Sequence, residues 1–228
     1  MILQTLQNLQ HIVTQLFSLF KVSELGTSVG RPRKISDQDA LSYALYQHAS
    51  TRATKKSVYE DLKETLACSY KTFVVSLNRV APLAVRILCA IMTINKRESH
   101  LVKYTDATDI PVCLKKNMDE HKTMVGLAGL GRSTKGWFYG LKMTLTRDHE
   151  GRMLGLKFTS PGANDRDIFR KLNKDIYGII VADAGYVCEQ LEKDMYIEHR
   201  RWVLIRPYKT MKKLMTFWQE QLYKGRFR

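Results

Sequence analysis

The chain has 228 residues, 44% of them hydrophobic, enough to bury a full core for one large domain and a smaller one. Its 37 Lys+Arg against 22 Asp+Glu give a net charge of +15 and predict a polyanionic partner. The four cysteines lie far apart, with no C-x-x-C pair and no histidine at metal-ligand spacing, which argues against a zinc site or a disulfide framework and for reduced, cytoplasmic thiols.

The charge is uneven along the chain. Residues 1–100 hold 13 basic against 7 acidic side chains, residues 101–199 hold 15 against 14, and residues 200–228 hold 9 against 1. A nearly neutral middle between basic ends suits a nucleic acid held on either side of a site that uses acids itself. A membrane surface is the competing polyanion, but no lipidation motif or isolated basic amphipathic helix accompanies the charge, and no apolar run reaches the roughly 20 residues of a bilayer span.

In chain order, MILQTLQNLQHIVTQLFSLF reads as an amphipathic helix with Leu6, Leu9, Val13, Leu16 and Phe20 on one side. It lacks the basic start and small-residue cleavage site of a signal peptide. Residues 36–95 read as further helices. Ser36-Asp37-Gln38-Asp39 and Ser57-Val58-Tyr59-Glu60 have capping-box form, and a third helix is expected from about Ser69, broken or kinked at Pro82. GRPRK before the first of these helices and HASTRATKKS after it supply Arg31, Arg33, Lys34, Arg52, Lys55 and Lys56. That layout is compatible with a helix-turn-helix-like unit meeting DNA phosphates, and equally with a helical bundle that has a solvated basic face.

From residue 100 the hydrophobic period shortens. LVKYTDAT, GWFYGLKMTLT and MLGLKFTS read as three strands with a DHEGR turn between the last two. PGANDRD opens a short helix, IYGIIVAD is a fourth strand, a helix runs from about Ala184 to Tyr196, RRWVLI is a fifth strand, and a last helix runs from about Lys209 to Tyr223. The order βββαβαβα predicts an α/β chain with a mixed sheet in ribonuclease-H-like arrangement, preceded by an all-helical region, with the boundary near residue 98. In that arrangement Asp106 on the first strand and Asp183 at the end of the fourth become neighbours, although 77 residues separate them. Asp183 alone would pass for a helix cap after a buried strand. Two adjacent carboxylates repel by about 4 kcal/mol at about 4 Å and an effective dielectric of about 20, so they call for a metal or a shared proton. Hard oxygen ligands select Mg²⁺ or Mn²⁺.

GRPRKISDQDALSYAL, YTDATDIPVC, GLGRSTKGWFYGLKMTL, PGANDRD and VADAGY, in this order, resemble the DDE transposases of bacterial insertion sequences over nearly the whole chain. The resemblance implies DNA cleavage and strand transfer at transposon ends, two Mg²⁺ or Mn²⁺ ions, and Asp106 and Asp183 as the first two acids of the triad. Asp109 is the rival for the first position. Partners implied are transposon-end and target DNA and further copies of the chain, acting on the nucleoid of a bacterial cytoplasm. Many members carry the third acid in a Tyr-x₂-Arg-x₃-Glu pattern. Tyr223 and Arg226 match its opening, with roles at DNA, and the Glu would fall two positions past Arg228, so a catalytic domain lacking its C-terminal end is expected. Glu220, 37 residues after Asp183, is a possible substitute that belongs to no part of the pattern. Without a third acid, an inactive transposase that only binds DNA is the alternative, and a structure-selective nuclease is a third reading. Trp137, Phe138 and Tyr139 are either base-stacking or core residues, Lys142 a phosphate contact or a surface lysine, and Asn164 and Asp165 either near the metals or turn residues. His121 and His149 have no evident partner in the sequence.

Overall fold

In the computed structural model the chain forms two compact units, Met1–Ile91 and Met92–Arg228. The structure describes residues 2–23, 32–120, 124–133, 136–207, 210–211 and 214–225.

The first unit is helical: α1 (Ile2–Leu19), α2 (Asp37–Ala49), α3 (Lys55–Leu62), α4 (Tyr70–Arg79) and the start of α5 (Ala81–Glu98). Val13, Phe17, Tyr46, Val58, Leu62, Phe73 and Leu77 form its core. Ser36 caps α2 by accepting the Asp39 N–H at 3.0 Å, and Ser69 caps α4. The α3 cap differs from the expectation at Ser57. Thr54 is the N-cap, and Ser57 is the third helical residue, whose hydroxyl returns the bond to the Thr54 N–H. A Thr three residues before the Ser takes the cap because both side chains then satisfy otherwise orphaned donors. The expected break falls just before Pro82, with α4 ending at Arg79 and α5 starting at Ala81. Pro82 lies in the first turn of α5, where its missing N–H costs nothing.

Residues 70–98 are long and apolar enough by length and composition to cross a membrane, contrary to the reading of the apolar runs. Phe73, Leu77, Val80, Leu83 and Ile87 within this stretch are buried in the helical core.

The second unit contains β1 (Val102–Leu114), β2 (Gly129–Ser133), β3 (Gly136–Asp148), β4 (Met153–Thr159), α6 (Asp165–Leu172), β5 (Ile179–Ala182), α7 (Glu189–His199), β6 (Trp202–Ile205) and α8 (Phe217–Lys224). Its sheet runs β2-β3-β1-β5-β6, with β4 also on β3. The β1–β3 pair is antiparallel and the β1–β5 and β5–β6 pairs are parallel. This is the mixed ribonuclease-H-like sheet that the element order predicts.

It departs from that prediction in three places. An extra strand, β2, pairs with residues 136–140 of β3, while β4 takes residues 142–147 of the same edge. Its GLGRS sequence hides a strand because it is glycine-rich, and Gly131 is needed there: a Cβ would meet Pro161 at 2.6 Å and Phe138 at 2.7 Å. Helix α7 begins at Glu189 rather than Ala184, because a 3₁₀ turn, Ala184–Tyr186, comes first. Helix α8 begins at Phe217 rather than near Lys209, behind a Thr216–Gln219 capping box. Residues 208, 209, 212 and 213 of the expected start lie outside the described residues.

Strand alternation sorts the side chains onto two faces. Ile180, Ala182 and Ile205 meet Phe169, Leu191 and Met195 on the α6–α7 side. Val102, Tyr104 and Val181 meet Tyr223 on the α8 side.

Candidate metal centre and DNA contacts

The parallel ladder between β1 and β5 ends at Thr105↔Ala182. The next residues on the two strands are Asp106 and Asp183, and Asp183 keeps extended backbone angles, φ −79° and ψ 166°. Paired residues of neighbouring strands share a face, so both aspartates continue the row of Tyr104 and Val181 on the α8 side. Backbone register thus pairs two strands that are distant in sequence up to the residue before each acid.

Asp106 is exposed, and its Oδ1 accepts the Ala107 N–H at 3.0 Å. Asp183 is half-buried. Its Oδ1 accepts the Ala184 N–H at 2.8 Å, as the cap of the 3₁₀ turn, and the Tyr223 hydroxyl at 3.0 Å. The capping role and the partner therefore coexist. Tyr223 is buried, and the Arg206 guanidinium lies 5.0 Å above its ring. Arg206 directly follows β6, as Asp183 directly follows β5, so the carboxyl ends of both parallel strands deliver charge to this region. The sequence reading missed Arg206. Its only local signal is a basic residue at the end of an apolar run.

Asp109, the rival of Asp106, differs from it in strand parity and pairs with Lys142 across the ladder, which places it on the α6–α7 face away from Asp183. Glu220 is exposed on α8. Among the described residues no group of three or more His, Cys, Asp or Glu side chains is arranged to hold a metal. The two carboxylates are hard oxygen donors with exposed access, a set that fits a divalent ion completing its shell with water and phosphate.

Most residues expected to touch DNA have intramolecular partners. Arg33 pairs with Asp37 at 3.2 Å, Arg52 with Asp61 at 2.7 Å and Lys142 with Asp165 at 3.0 Å. Lys34 donates to the Ala67 carbonyl at 3.0 Å and Lys55 to the Asn78 side chain at 2.5 Å, while Lys56 is exposed. Tyr223 serves Asp183, and Arg31 and Arg226 lie outside the described residues. Asn164 caps α6 through the Arg166 N–H at 3.0 Å, and Asp165 is held by Lys142, so both have local structural work. Trp137 is exposed, with Lys115 Nζ 5.5 Å and Arg132 Cζ 5.9 Å from its ring, whereas Phe138 is core. His149 has a partner that the sequence did not reveal: its Nδ1 is 3.2 Å from the Tyr104 hydroxyl. His121 lies outside the described residues.

A family profile described as the transposase DDE domain matches residues 96–227, more than half of the chain and the whole sheet. The chain belongs to the DDE transposase family. No curated protein sequence matches it. Among solved structures, this DDE transposase is similar to the Mos1 transposase paired-end complex with left transposon end, at 14% identity over 86% of this chain and 67% of that one, with a TM-score of 0.30. The Mos1 mariner paired end complex with Mn is 13% identical over 94% of this chain and 82% of that one, with a TM-score of 0.29. The Mos1 strand transfer complex is 11% identical over the same 94% and 82%, with a TM-score of 0.31.

Proposed function

We propose that this DDE transposase cuts and joins DNA at a site built from Asp106 and Asp183 in a catalytic domain spanning about residues 99–228. The helical region before it, residues 1–98, binds double-stranded DNA at the ends of an insertion sequence. The observation that supports the reading is the β1–β5 ladder, whose last pair, Thr105↔Ala182, immediately precedes the two aspartates. Asp106 and Asp183 would hold Mg²⁺ or Mn²⁺. A divalent ion, or a pair of them, supplies Lewis-acid activation of a hydroxyl and neutralises charge on a phosphodiester in transfer.

The protein's own contribution is orientation. The Ala184 N–H and the Tyr223 hydroxyl fix one Asp183 oxygen, so the carboxylate cannot rotate without losing both bonds. Arg206, seated on the Tyr223 ring, supplies a cation for the phosphate backbone near the acids. Exposed Trp137 between two cations offers a surface for an unpaired base. The setting is the bacterial nucleoid, and two or more copies of the chain would pair two ends.

The test is a labelled duplex taken from the DNA that bounds the chain's own reading frame, incubated with Mn²⁺ and resolved on denaturing gels. Nicked and joined products are expected from the parent protein and are lost in Asp106→Asn and Asp183→Asn, which retain DNA binding. A second reading, a transposase that binds ends without cutting, is favoured by the lack of a third acid among the described residues. It predicts equal binding by all three proteins and no products from any of them.

A further inference from the structure

The helical unit contains a cationic cavity of about 270 Å³ beside α4, lined by Arg33, Lys34, Thr72, Val75, Ser76 and Arg79. Beneath it lies Asp37, fully buried. Arg79 reaches this carboxylate through Nε at 2.9 Å and Nη2 at 2.8 Å, and its Nη2 also donates to the Ile35 carbonyl at 3.1 Å. Arg33 Nη1 approaches both Asp37 oxygens, at 3.3 and 3.2 Å.

Arg79 contacts Asp37 through Oδ1 alone and Arg33 Nη1 also reaches Oδ2, so the two guanidiniums together satisfy the buried carboxylate and leave one positive charge in excess. Both arginine side chains remain about one-quarter exposed, at 23% for Arg33 and 24% for Arg79. Three cations therefore line the cavity above a single carboxylate, and the two arginines are held without the rotamer freedom that a surface arginine would lose on binding. Thr72 and Ser76, one turn apart on α4, add hydroxyls to the same wall. Planar, immobilised guanidiniums with neighbouring hydroxyls match a tetrahedral phosphate oxyanion, and the volume leaves room for several of its waters at about 30 Å³ each.

We propose that this cavity seats one backbone phosphodiester of duplex DNA, gripped by Arg33 and Arg79 with Asp37 as their positioning residue. The inference rests on the reading that the helical unit binds DNA, and it adds Arg79, Thr72 and Ser76 to that surface. It also assigns the Arg33–Asp37 pair to presentation of the arginine rather than to its withdrawal from DNA.

The test compares the 228-residue chain with its Val75→Glu, Val75→Gln, Arg33→Gln and Lys56→Glu variants on a generic duplex, by fluorescence anisotropy across a salt series. Val75 is 56% exposed at the cavity rim, so its replacement leaves the core intact. Val75→Glu is expected to weaken binding about tenfold, with Val75→Gln near the parent. Arg33→Gln is expected to reduce the slope of log K against log salt by about 0.9, the share of one phosphate. Equal affinities for Val75→Glu and Val75→Gln, with Lys56→Glu weakened, would overturn the pocket and leave DNA binding by the unit standing. No effect from any of the four would instead overturn the reading on which it rests. Inorganic phosphate, followed by the amide NMR shifts of Thr72 and Ser76, separates the sources of the oxyanion. Weak binding that duplex DNA competes away supports a backbone phosphate, and binding that DNA leaves untouched assigns the cavity to a free phosphate and overturns the proposal.

Discussion

Replacing Tyr223 by Phe removes a single oxygen from the candidate metal centre. The hydroxyl donates to Asp183 at 3.0 Å. Bonds to charged acceptors contribute about 1.5–3 kcal/mol, and Asp183 is half-buried and keeps its Ala184 N–H, so water replaces part of the loss and the low end, about 1.5 kcal/mol, applies. The ring stays buried against Val181 and under Arg206, so packing and the cation–π contact are unchanged. All three tryptophans, Trp137, Trp202 and Trp218, lie in the second unit, and their fluorescence reports its unfolding. Tyr223→Phe is expected to lower the urea-derived stability of this unit by about 1.5 kcal/mol and the melting midpoint by about 3–6 °C. Tyr223→Ala, which also empties the ring's site, should cost about 3–5 kcal/mol. If Tyr223→Phe matched the parent within about 0.3 kcal/mol while Tyr223→Ala showed its full loss, α8 would be packed on the sheet without holding the carboxylate, and the positioning argument for Asp183 would fail.

Two further predictions concern the sheet. Burial lowers the pKa of Lys103, which lies against the ladder opposite buried Asp148, below the ordinary 10.5. The unfolded chain then binds more protons in the window between the lowered value and 10.5, so stability should rise with pH there and level off above it. Lys103→Met should flatten that rise in alkaline melts, since Asp148 keeps its N–H bonds from His100, Glu150 and Arg152; an unchanged rise would assign it to another group. A Cβ at Gly140 would stand 2.2 Å from the Ile110 carbonyl oxygen, a backbone atom that cannot yield, so Gly140→Ala should destabilise the second unit by about 2 kcal/mol or more in the same fluorescence assay.

The pairing of the strands that end in Asp106 and Asp183 was legible because it follows from strand order alone: a meander followed by a parallel strand places the first and fourth predicted strands together whatever the loops do. Helix starts with a side-chain oxygen just ahead of an apolar period were legible at Ser36 and Ser69. The Thr54 cap was not, because Ser57 offered an equally valid local pattern, and the reciprocal Thr54–Ser57 bonds that decide between them appear only in the folded helix. Strand β2 was hidden by glycines selected for close approach, which carry no β signal. The partners of Arg52 and Lys142 were invisible because they are set by the tertiary fold, whereas that of Arg33 lies only four residues on, at Asp37; a basic residue in a loop reads the same whether it faces solvent or a carboxylate.

Strand β3 carries β2 and β4 in succession along one edge, while the register of the aspartates depends on β1 with β5 and on the pairing of residues 103–110 with 141–148. The stretches 115–120 and 124–128, which lie outside these ladders, are thereby mechanically separate from them. Resequencing them would change what the protein touches at that rim without altering the strand pairing that carries either aspartate.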